Sequence, residues 1–510
     1  MQTDLFLPPI VAKIRQMSET GFNIQVEDQV YWNIKVYLMS LVADSGLRYD
    51  LQGIHSHRGE FSCSWCLHCG EELAGARKFR FSYPLPPLRS LDQMVEDAHE
   101  AIRTKTVIRG VKCLSVLTAA PYFHPIDGMV VDKMHAADEG VAKAFTLAWM
   151  GDDGVAPWSI KEKHHHKIES RISKARYPIE IRKAFRKIKH RARYTAREWE
   201  NWTLFFSVPV LSDILKSNLL IHWSLYVQAF HILLQTEITE ELLNIANELL
   251  LEFIAKVEIL YCPEMMTFNV HLLSHLIMNV IRHGPLFALN AYAFEAGNQI
   301  LKKIIFASNG IPHQVCRFIS QGHAAQIMRV KKPSEDANLF LERTKKKNQA
   351  LVKHVGKSQL LGYSSPFTNP NNQEQWLLNK HKINKNQCVL YKKVKFNGVT
   401  YETFQASRRL DNSVALLTDE SALQIKKKLA NEVTQEIYVF GVKIRCRPSK
   451  FVPQSIARLK KMSLCFLLDV LSVDDELICV PLASMKGIFV NMKWSDSHSL
   501  SPVPNIYNMF

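Results

Sequence analysis

Two cysteines that could bind a metal lie in the segment 59–70, whose sequence is GEFSCSWCLHCG. Cys63 and Cys66 form a Cys-x-x-Cys pair, which can hold one Zn²⁺ through two thiolates presented by a tight turn. Such a pair leaves two coordination positions to be filled by other ligands. The two missing ligands come either from a distant element or from nearby side chains, namely His55, His57, His68 and Cys69.

A distant candidate is the histidine pair His271 and His275 in the sequence NVHLLSH. Residues four positions apart share one face of a helix, as a metal-binding pair requires. The alternative is that both histidines form ordinary hydrogen bonds in the core while the cysteines remain free thiols. The spacing alone leaves both alternatives open.

Two carboxylates occur in settings that could suit phosphodiester chemistry. Asp44 ends the apolar run Val30–Ala43, and Glu295 precedes a predicted helix at Gln299–Ala307. Acidic groups brought together by a sheet and a helix can bind Mg²⁺. The competing interpretation is that both are solvated surface groups, as acidic side chains usually are.

The sequence DKMH contributes a third acidic residue, Asp132, and a further histidine, His135. Asp132 follows a strand-like segment and precedes an amphipathic helix, so it is well suited to cap that helix. The alternative places Asp132 or His135 beside an active site.

The segment 161–197 is the most basic part of the chain and also contains Tyr177, Phe185 and Tyr194. A face of this kind can bind nucleic-acid phosphates. The alternatives are a solvated helix face and a nuclear-import signal. The candidate DNA-binding residues are Arg182, Lys183, Arg186, Lys187, Lys189, Arg191 and Arg193.

Composition narrows the classes of partner. The chain has 510 residues, 47% of them hydrophobic, and a formal net charge of +16. This length predicts two to four domains, and the charge favours a polyanion, with nucleic acid preferred over an anionic membrane. We expect an intracellular protein with no membrane span and no small-molecule cofactor, since P-loop, GxGxxG and GxSxG motifs are missing from the sequence.

The first 135 residues predict an α/β layer, because strand and helix patterns alternate. Helices are expected at Ile10–Met17 and Leu91–Ile102. Strands are expected at Gly21–Val26, at Val111–Ala120 and in the run Val30–Ala43, where periodicity alone does not exclude a buried helix.

From Asp132 to about residue 310 the pattern becomes helical, and the chain then changes character. Polar, turn-rich residues predict a linker at 326–385. A β-rich domain is expected at 386–510, with an Asn397-Gly398 hairpin turn. Its further strands are expected at 413–417, 437–446, 464–471 and 476–492, forming a small antiparallel sheet or barrel.

Over residues 1–320 the succession of motifs resembles the Tnp2 transposases of CACTA (En/Spm) DNA transposons. It is similar, more distantly, to the catalytic subunit of the V(D)J recombinase. The matching segments are HSHRGEFSCSWC, VVDKMHAADEG, YTAREWENWTLFFSVPVL and FNVHLLSHLIMNVIRHGPLFALNAYAFEAGN.

The resemblance implies an RNase H-like core with a large α-helical insertion and a DDE triad that binds two Mg²⁺ or Mn²⁺ ions. Asp44 and Glu295 would be its second and third acids, and Asp132 and His135 would lie next to the active site. A structural zinc would be bound by Cys63, Cys66, His271 and His275. The implied segments are a core at 1–135, an insertion at 136–265 and a returning core segment at 266–325.

One departure affects the expected activity. The family's first catalytic Asp has no counterpart here, so we expect a transposase-derived DNA-binding protein in the nucleus that is inactive in strand cleavage. An active form would act on transposon ends, and a homodimer is compatible with the resemblance. The alternative is a non-catalytic, zinc-stabilised scaffold with a host function, which binds DNA or protein.

Overall fold

The protein combines helices with strands and ends in an antiparallel sheet. The computed structural model describes residues 3–27, 30–151, 154–181, 186–330, 335–336, 352–405, 410–494 and 497–504. Within these residues, no helix is long and apolar enough to span a bilayer.

Most helices fall in the first two thirds of the chain. The two expected near the N-terminus are present as Thr3–Glu19 and Leu91–Thr104, the second capped by the Ser90 hydroxyl. The other α-helices are Ser45–Gln52, Lys143–Gly151, His165–Lys174, Ala196–Asn201, Ser207–Leu211, Ser217–Leu233, Glu240–Leu260, Phe268–Leu272, Leu276–His283, Tyr292–Ile304, Ile311–Val330, Asn372–Lys380 and Gln454–Ala457. Two π-helical segments span Met134–Ala142 and Trp202–Phe206.

Two short strands form the centre of the N-terminal part. Leu41–Ala43 pairs in parallel with Met129–Val131, so both strands end at the same edge. Separate antiparallel hairpins lie beside this pair. Their strands are Phe22–Glu27 with Val30–Ile34, and Glu71–Leu73 with Ala76–Lys78.

Two strand predictions in this region were wrong in extent or type. The run Val30–Ala43 is not one strand, because it is interrupted between Ile34 and Leu41. Val111–Ala120 is not a strand either. Only Val111 makes isolated bridges, and the Ser115 hydroxyl caps a 3₁₀ turn at Val116–Ala119.

The helical region is organised around tryptophans with almost no exposed surface. Trp149, Trp199, Trp202 and Trp223 are all fully buried. Trp149 and Trp223 meet edge to face with ring centroids 5.1 Å apart, a favourable arrangement for aromatic rings. The helix Ser217–Leu233 is buried on nearly all sides, which matches its continuous apolar sequence.

Among the described residues, the C-terminal sheet contains ten strands. They are Val352–Val355, Ser358–Pro366, Cys388–Phe396, Val399–Glu402, Val414–Leu417, Ala422–Asn431, Glu436–Pro448, Leu468–Pro481, Met485–Lys493 and His498–Pro502. Six of them, from Val414 onward, pair in a closed antiparallel circuit. The β-rich prediction therefore holds, and the closed circuit has the connectivity of a small barrel.

The hairpin turn has the predicted conformation, since Asn397 and Gly398 have φ angles of 48° and 82°. The predicted linker, by contrast, ends earlier than expected. Residues 352–366 form two strands of the sheet, and Asn372–Lys380 is a helix packed against it. Most of 331–351 lies outside the described residues.

The sheet packs directly on the helical region. The Gln228 amide donates to the Leu464 carbonyl at 2.7 Å, and its oxygen accepts from the Phe466 amide at 3.4 Å. The Trp494 indole donates to the Arg171 carbonyl at 3.0 Å. A single hydrophobic core extends through both parts.

Candidate metal centre

The loop that carries Cys63 and Cys66 is held by side chains from outside the loop. The buried Arg89 guanidinium donates to the carbonyls of Cys63, Phe61 and Arg109. Cys66 forms an isolated antiparallel bridge with Leu88. The two cysteines are therefore fixed and buried, although their loop contains little regular structure.

The histidines lie where an α-helix passes through a 3₁₀ turn. Thr267 caps the helix Phe268–Leu272, which continues through the 3₁₀ turn Leu273–His275 into Leu276–His283. His271 and His275 are both buried at 6% exposure and point their Nε2 atoms in the same direction, toward the cysteines.

The four side chains meet at one point. Cys63 Sγ lies 3.3 Å from His275 Nε2, and Cys66 Sγ lies 3.4 Å from His271 Nε2. The two Nε2 atoms are 3.4 Å apart, and all four donor atoms lie within 4.8 Å of one another. Tetrahedral zinc, with bonds of about 2.3 Å to sulfur and 2.0–2.1 Å to nitrogen, requires S–N and N–N distances of about 3.6 and 3.3 Å. The donor set and its dimensions fit a metal ion such as zinc.

The two thiols of this cluster differ in their tendency to ionise. Burial opposes ionisation of Cys63, but the hydrogen bond with Cys66 and the two imidazoles lower the pKa of Cys63 well below its usual value, whereas the hydrogen bond with Cys63 and burial raise the pKa of Cys66. Burial lowers the pKa of His271, which favours its neutral form. Thiolate and neutral imidazole are the forms that bind metal.

The local alternatives do not complete the site. His68 uses both ring nitrogens elsewhere, because Nε2 meets the Arg80 carbonyl at 2.8 Å and Nδ1 accepts from the Gly70 amide at 2.9 Å. Cys69 is exposed. Among the described residues, the group that can hold a metal consists of the two cysteines and the two distant histidines.

Both halves of the centre are attached to the strand Met129–Val131. From the cysteine side, the Trp65 indole donates to the Met129 carbonyl at 3.2 Å. From the histidine side, the Asn279 side-chain oxygen accepts from the Val131 amide at 2.7 Å, while its amide donates to the His275 carbonyl at 2.9 Å. The candidate metal centre is therefore linked to this strand by hydrogen bonds from both sides.

Asp132, the next residue, is buried, and its carboxylate accepts hydrogen bonds from several groups. Its Oδ1 accepts from the Met134 amide at 3.2 Å and from the Ala291 amide at 2.8 Å, and its Oδ2 contacts the amide and Nδ1 of His135. Asp132 thus has the predicted capping role and also joins two distant segments. The hydrogen bond to Asp132 raises the pKa of His135, and the charge of Asp44 acts in the same direction.

The two candidate catalytic acids are both exposed. Asp44 follows the strand Leu41–Ala43 and caps the next helix by accepting from the Leu47 amide at 2.7 Å. Glu295 lies in the first turn of the helix Tyr292–Ile304, which begins earlier than predicted. Within the described part of the chain, no hydrogen bond or ion pair joins Glu295 to Asp44.

A buried ionic cluster, which the sequence did not reveal, holds the start of the Glu295 helix. The Lys133 ammonium, 1% exposed, donates to Asp138 at 2.7 Å and to Glu200 at 2.9 Å. The Tyr292 hydroxyl donates to Asp138 at 2.9 Å, and the Arg197 guanidinium lies 3.7 Å from the centre of the Tyr292 ring. Burial raises the pKa of Asp138 to about 7, although Lys133 opposes the shift.

The basic segment divides into two groups of side chains. Arg186 forms an ion pair with the buried Glu198, and Arg191 donates to the Met150 carbonyl at 2.6 Å. Lys187, Lys189 and Arg193 are exposed.

Arg182, Lys183 and Phe185 lie outside the described residues. Tyr177 and Tyr194 are buried, so they pack in the core and do not offer a surface for stacking bases.

Other proteins give no direct indication of what this centre does. No family model and no curated protein matches the chain. Its function is therefore inferred from its own residues.

Loss of one donor should abolish metal binding. We expect Cys66→Ser and His275→Ala to lose bound metal and to unfold at a lower temperature, because metal binding energy is also folding energy, about 10–16 kcal/mol for structural zinc in finger peptides. Elemental analysis measures the metal, and circular dichroism measures unfolding. Cys69→Ser changes an exposed thiol of the same loop and should retain the metal. Equal metal content in Cys66→Ser and Cys69→Ser would contradict the assignment.

The Tyr292 hydroxyl should anchor the Glu295 helix. We expect Tyr292→Phe to accelerate amide hydrogen exchange in residues 292–304 and to lower the free energy of unfolding by about 1–3 kcal/mol, because a buried acceptor loses its donor. Mass spectrometry follows the exchange. Tyr83→Phe, which alters a tyrosine that is 90% exposed, is the control. Unchanged exchange in 292–304 would show that the hydroxyl does not hold the helix.

Proposed function

We propose that this chain is a zinc-stabilised DNA-binding protein of DDE-transposase descent. The observation that carries the proposal is the meeting of Cys63 and Cys66 with His271 and His275, which are more than 200 positions away in the sequence. Zinc is favoured over other metals because a buried Cys₂His₂ set is typical of structural zinc sites. The same four residues carry the resemblance to Tnp2 transposases.

An RNase H-like core is part of this proposal. In its favour, Asp44 and Asp132 directly follow two neighbouring parallel strands, and the helix that carries Glu295 begins one hydrogen bond from Asp132. The long helical insertion between Asp132 and Ala291 is also in keeping with such a core. The helical and strand content alone is compatible with many other mixed folds.

DNA binding is proposed through the exposed cations of the basic segment. Lys187, Lys189 and Arg193 project from a short 3₁₀ segment and its preceding residue, and they form no ion pair with the described residues. When exposed cations bind phosphates, counterions are released from the DNA, and this release gives affinity without sequence preference. Arg186 and Arg191 instead stabilise the fold, because their partners lie within the protein.

The exposed cations should determine the salt dependence of DNA binding. We expect a variant with Lys187, Lys189 and Arg193 changed to Gln to bind duplex DNA more weakly, with a shallower slope of log affinity against log salt. The slope should fall by up to about 0.9 for each phosphate that the variant no longer neutralises. Fluorescence anisotropy measures the slope.

The matched control for this experiment changes Lys380, Lys382 and Lys385 to Gln, three exposed lysines in the C-terminal part. It removes the same charge and should leave the slope nearly unchanged. Equal losses of affinity in the two triple variants would indicate general charge attraction in place of a defined surface. Absence of duplex binding by the parent chain at low salt would refute the proposed function.

A second candidate function is metal-dependent DNA cleavage. The observation in its favour is the proximity of Asp44 to the Asp132–His135 pair, at the edge where both parallel strands end. Asp132 itself accepts four hydrogen bonds, which leaves Asp44 and Glu295 as candidates to bind divalent ions, with Glu139 as a further acid near His135.

Cleavage would require both exposed acids. If the second function holds, supercoiled plasmid is nicked with Mg²⁺ or Mn²⁺, and nicking disappears in Asp44→Asn and in Glu295→Gln, because each loses a carboxylate ligand. Glu241→Gln, which alters an exposed acid on another helix, serves as the control. Nicking that persists in both acid variants would assign the activity to a contaminant. No nicking by any form would refute the second function.

A further inference from the structure

A second cluster of cations lies in the C-terminal sheet, where one strand changes neighbours. The strand Ala422–Asn431 pairs on one edge with Val414–Leu417 near its start and with Cys388–Phe396 near its end. Between these two pairings, the Phe404 amide donates to the Ile425 carbonyl at 3.2 Å. We call this place the strand fork.

A bulge changes the direction of the lysines at the fork. The strand contains Lys426, Lys427 and Lys428 in succession, and its register with the strand Glu436–Pro448 shifts between Ile425 and Lys427. A β-bulge inserts an extra residue and redirects the side chains around it. Lys427 forms an ion pair with the buried Glu374, whereas Lys426 is exposed and lies over the Phe404 ring.

The helical region contributes another cation to the fork. Arg176 lies 5.3 Å from the centre of the Phe404 ring, and the Lys426 ammonium lies 5.7 Å from the same centre. The backbone of Arg176 exchanges two hydrogen bonds of 3.0 Å with Asn491, so its position is fixed by the sheet. The half-buried Phe404 is therefore flanked by two cations held by different parts of the chain.

A buried lysine completes the cluster. Lys428 is 1% exposed, and its ammonium donates to the Thr403 hydroxyl at 3.0 Å. The carboxylate of Glu402, whose charge acts on Lys428, is paired with Lys393. Burial lowers the pKa of Lys428 to about 7, so an anion arriving at the fork would favour its charged form.

We propose that the strand fork is a second binding site for the phosphate backbone of DNA, formed jointly by Arg176 and Lys426 with Lys428 behind them. Arg176 and Lys426 flank one half-buried ring, and the two carboxylates described beside them, Glu402 and Glu374, are each paired with another lysine. Phosphates are the anions that Arg and Lys side chains bind in this way. The proposal deepens the proposed function and rests on it.

The proposed site shares one residue, Arg176, with the basic segment. Arg176 belongs to the same segment, 161–197, as the exposed cations Lys187, Lys189 and Arg193. The sheet also contacts this segment at Tyr177, whose carbonyl accepts from the Asp411 amide at 3.0 Å. At such a site, one DNA molecule bound by the basic segment would also contact the C-terminal sheet.

The experiment compares two lysines that each lie over a phenylalanine ring. Lys426→Gln should reduce the slope of log affinity against log salt for a duplex oligonucleotide by about one, because the variant binds one phosphate fewer. Lys426→Arg should keep the parent slope. The matched control is Lys450→Gln, since Lys450 is exposed and lies 5.2 Å from the centre of the Phe451 ring. Circular dichroism verifies that all variants are folded.

Each outcome distinguishes the two proposals. A reduced slope for Lys426→Gln alone supports the fork as a DNA site. A parent-like slope for Lys426→Gln overturns this inference, and the proposed function still stands if the Lys187, Lys189 and Arg193 variant lowers the slope. Equal effects of Lys426→Gln and Lys450→Gln also overturn it, since any surface lysine would then suffice. Absence of DNA binding by the parent chain at low salt refutes both.

Discussion

The convergence of two thiols and two imidazoles on one buried point is the constraint on which the rest of the N-terminal structure depends. These groups have chiefly one another as polar partners, and buried polar groups are costly unless they are satisfied. A metal ion satisfies all four at once. The positions of the loop around Cys63, the histidine helix and the strand between them are then determined together.

The strand Met129–Val131 connects the candidate metal centre to the candidate catalytic residues. Hydrogen bonds from both halves of the metal centre fix it, and Asp132 continues from its end to the Ala291 amide. The helix that begins at Tyr292 has no buried residue in its length, so its direction depends on this contact and on the ionic cluster around Lys133. Metal binding and the placement of Glu295 are thereby coupled through a few polar contacts.

The sequence predicted features set by local chemistry better than features set by packing. Asn397-Gly398 encoded its turn. The cysteine and histidine spacings indicated candidate metal donors, but only the resemblance to a family joined the two pairs in one site. The strand Ala422–Asn431 was missed because three consecutive lysines interrupt the alternation of apolar and polar residues that predicts a strand. The structure accommodates them with a β-bulge and with burial of Lys428. The cluster around Lys133 was also missed, since charged residues are usually exposed and their burial depends on partners far away in the sequence.

The hydrogen bond between Asp132 and the Ala291 amide has a consequence for how such a chain can evolve. The Ala291 amide lies 2.8 Å from Oδ1 of Asp132, so the segment between these two residues begins and ends in contact. Segments whose ends meet can be inserted, enlarged or exchanged without disturbing their host. This freedom is limited by His271 and His275, because both candidate metal donors lie within the segment between Asp132 and Ala291. Any replacement would have to bring its own pair of ligands to the same place.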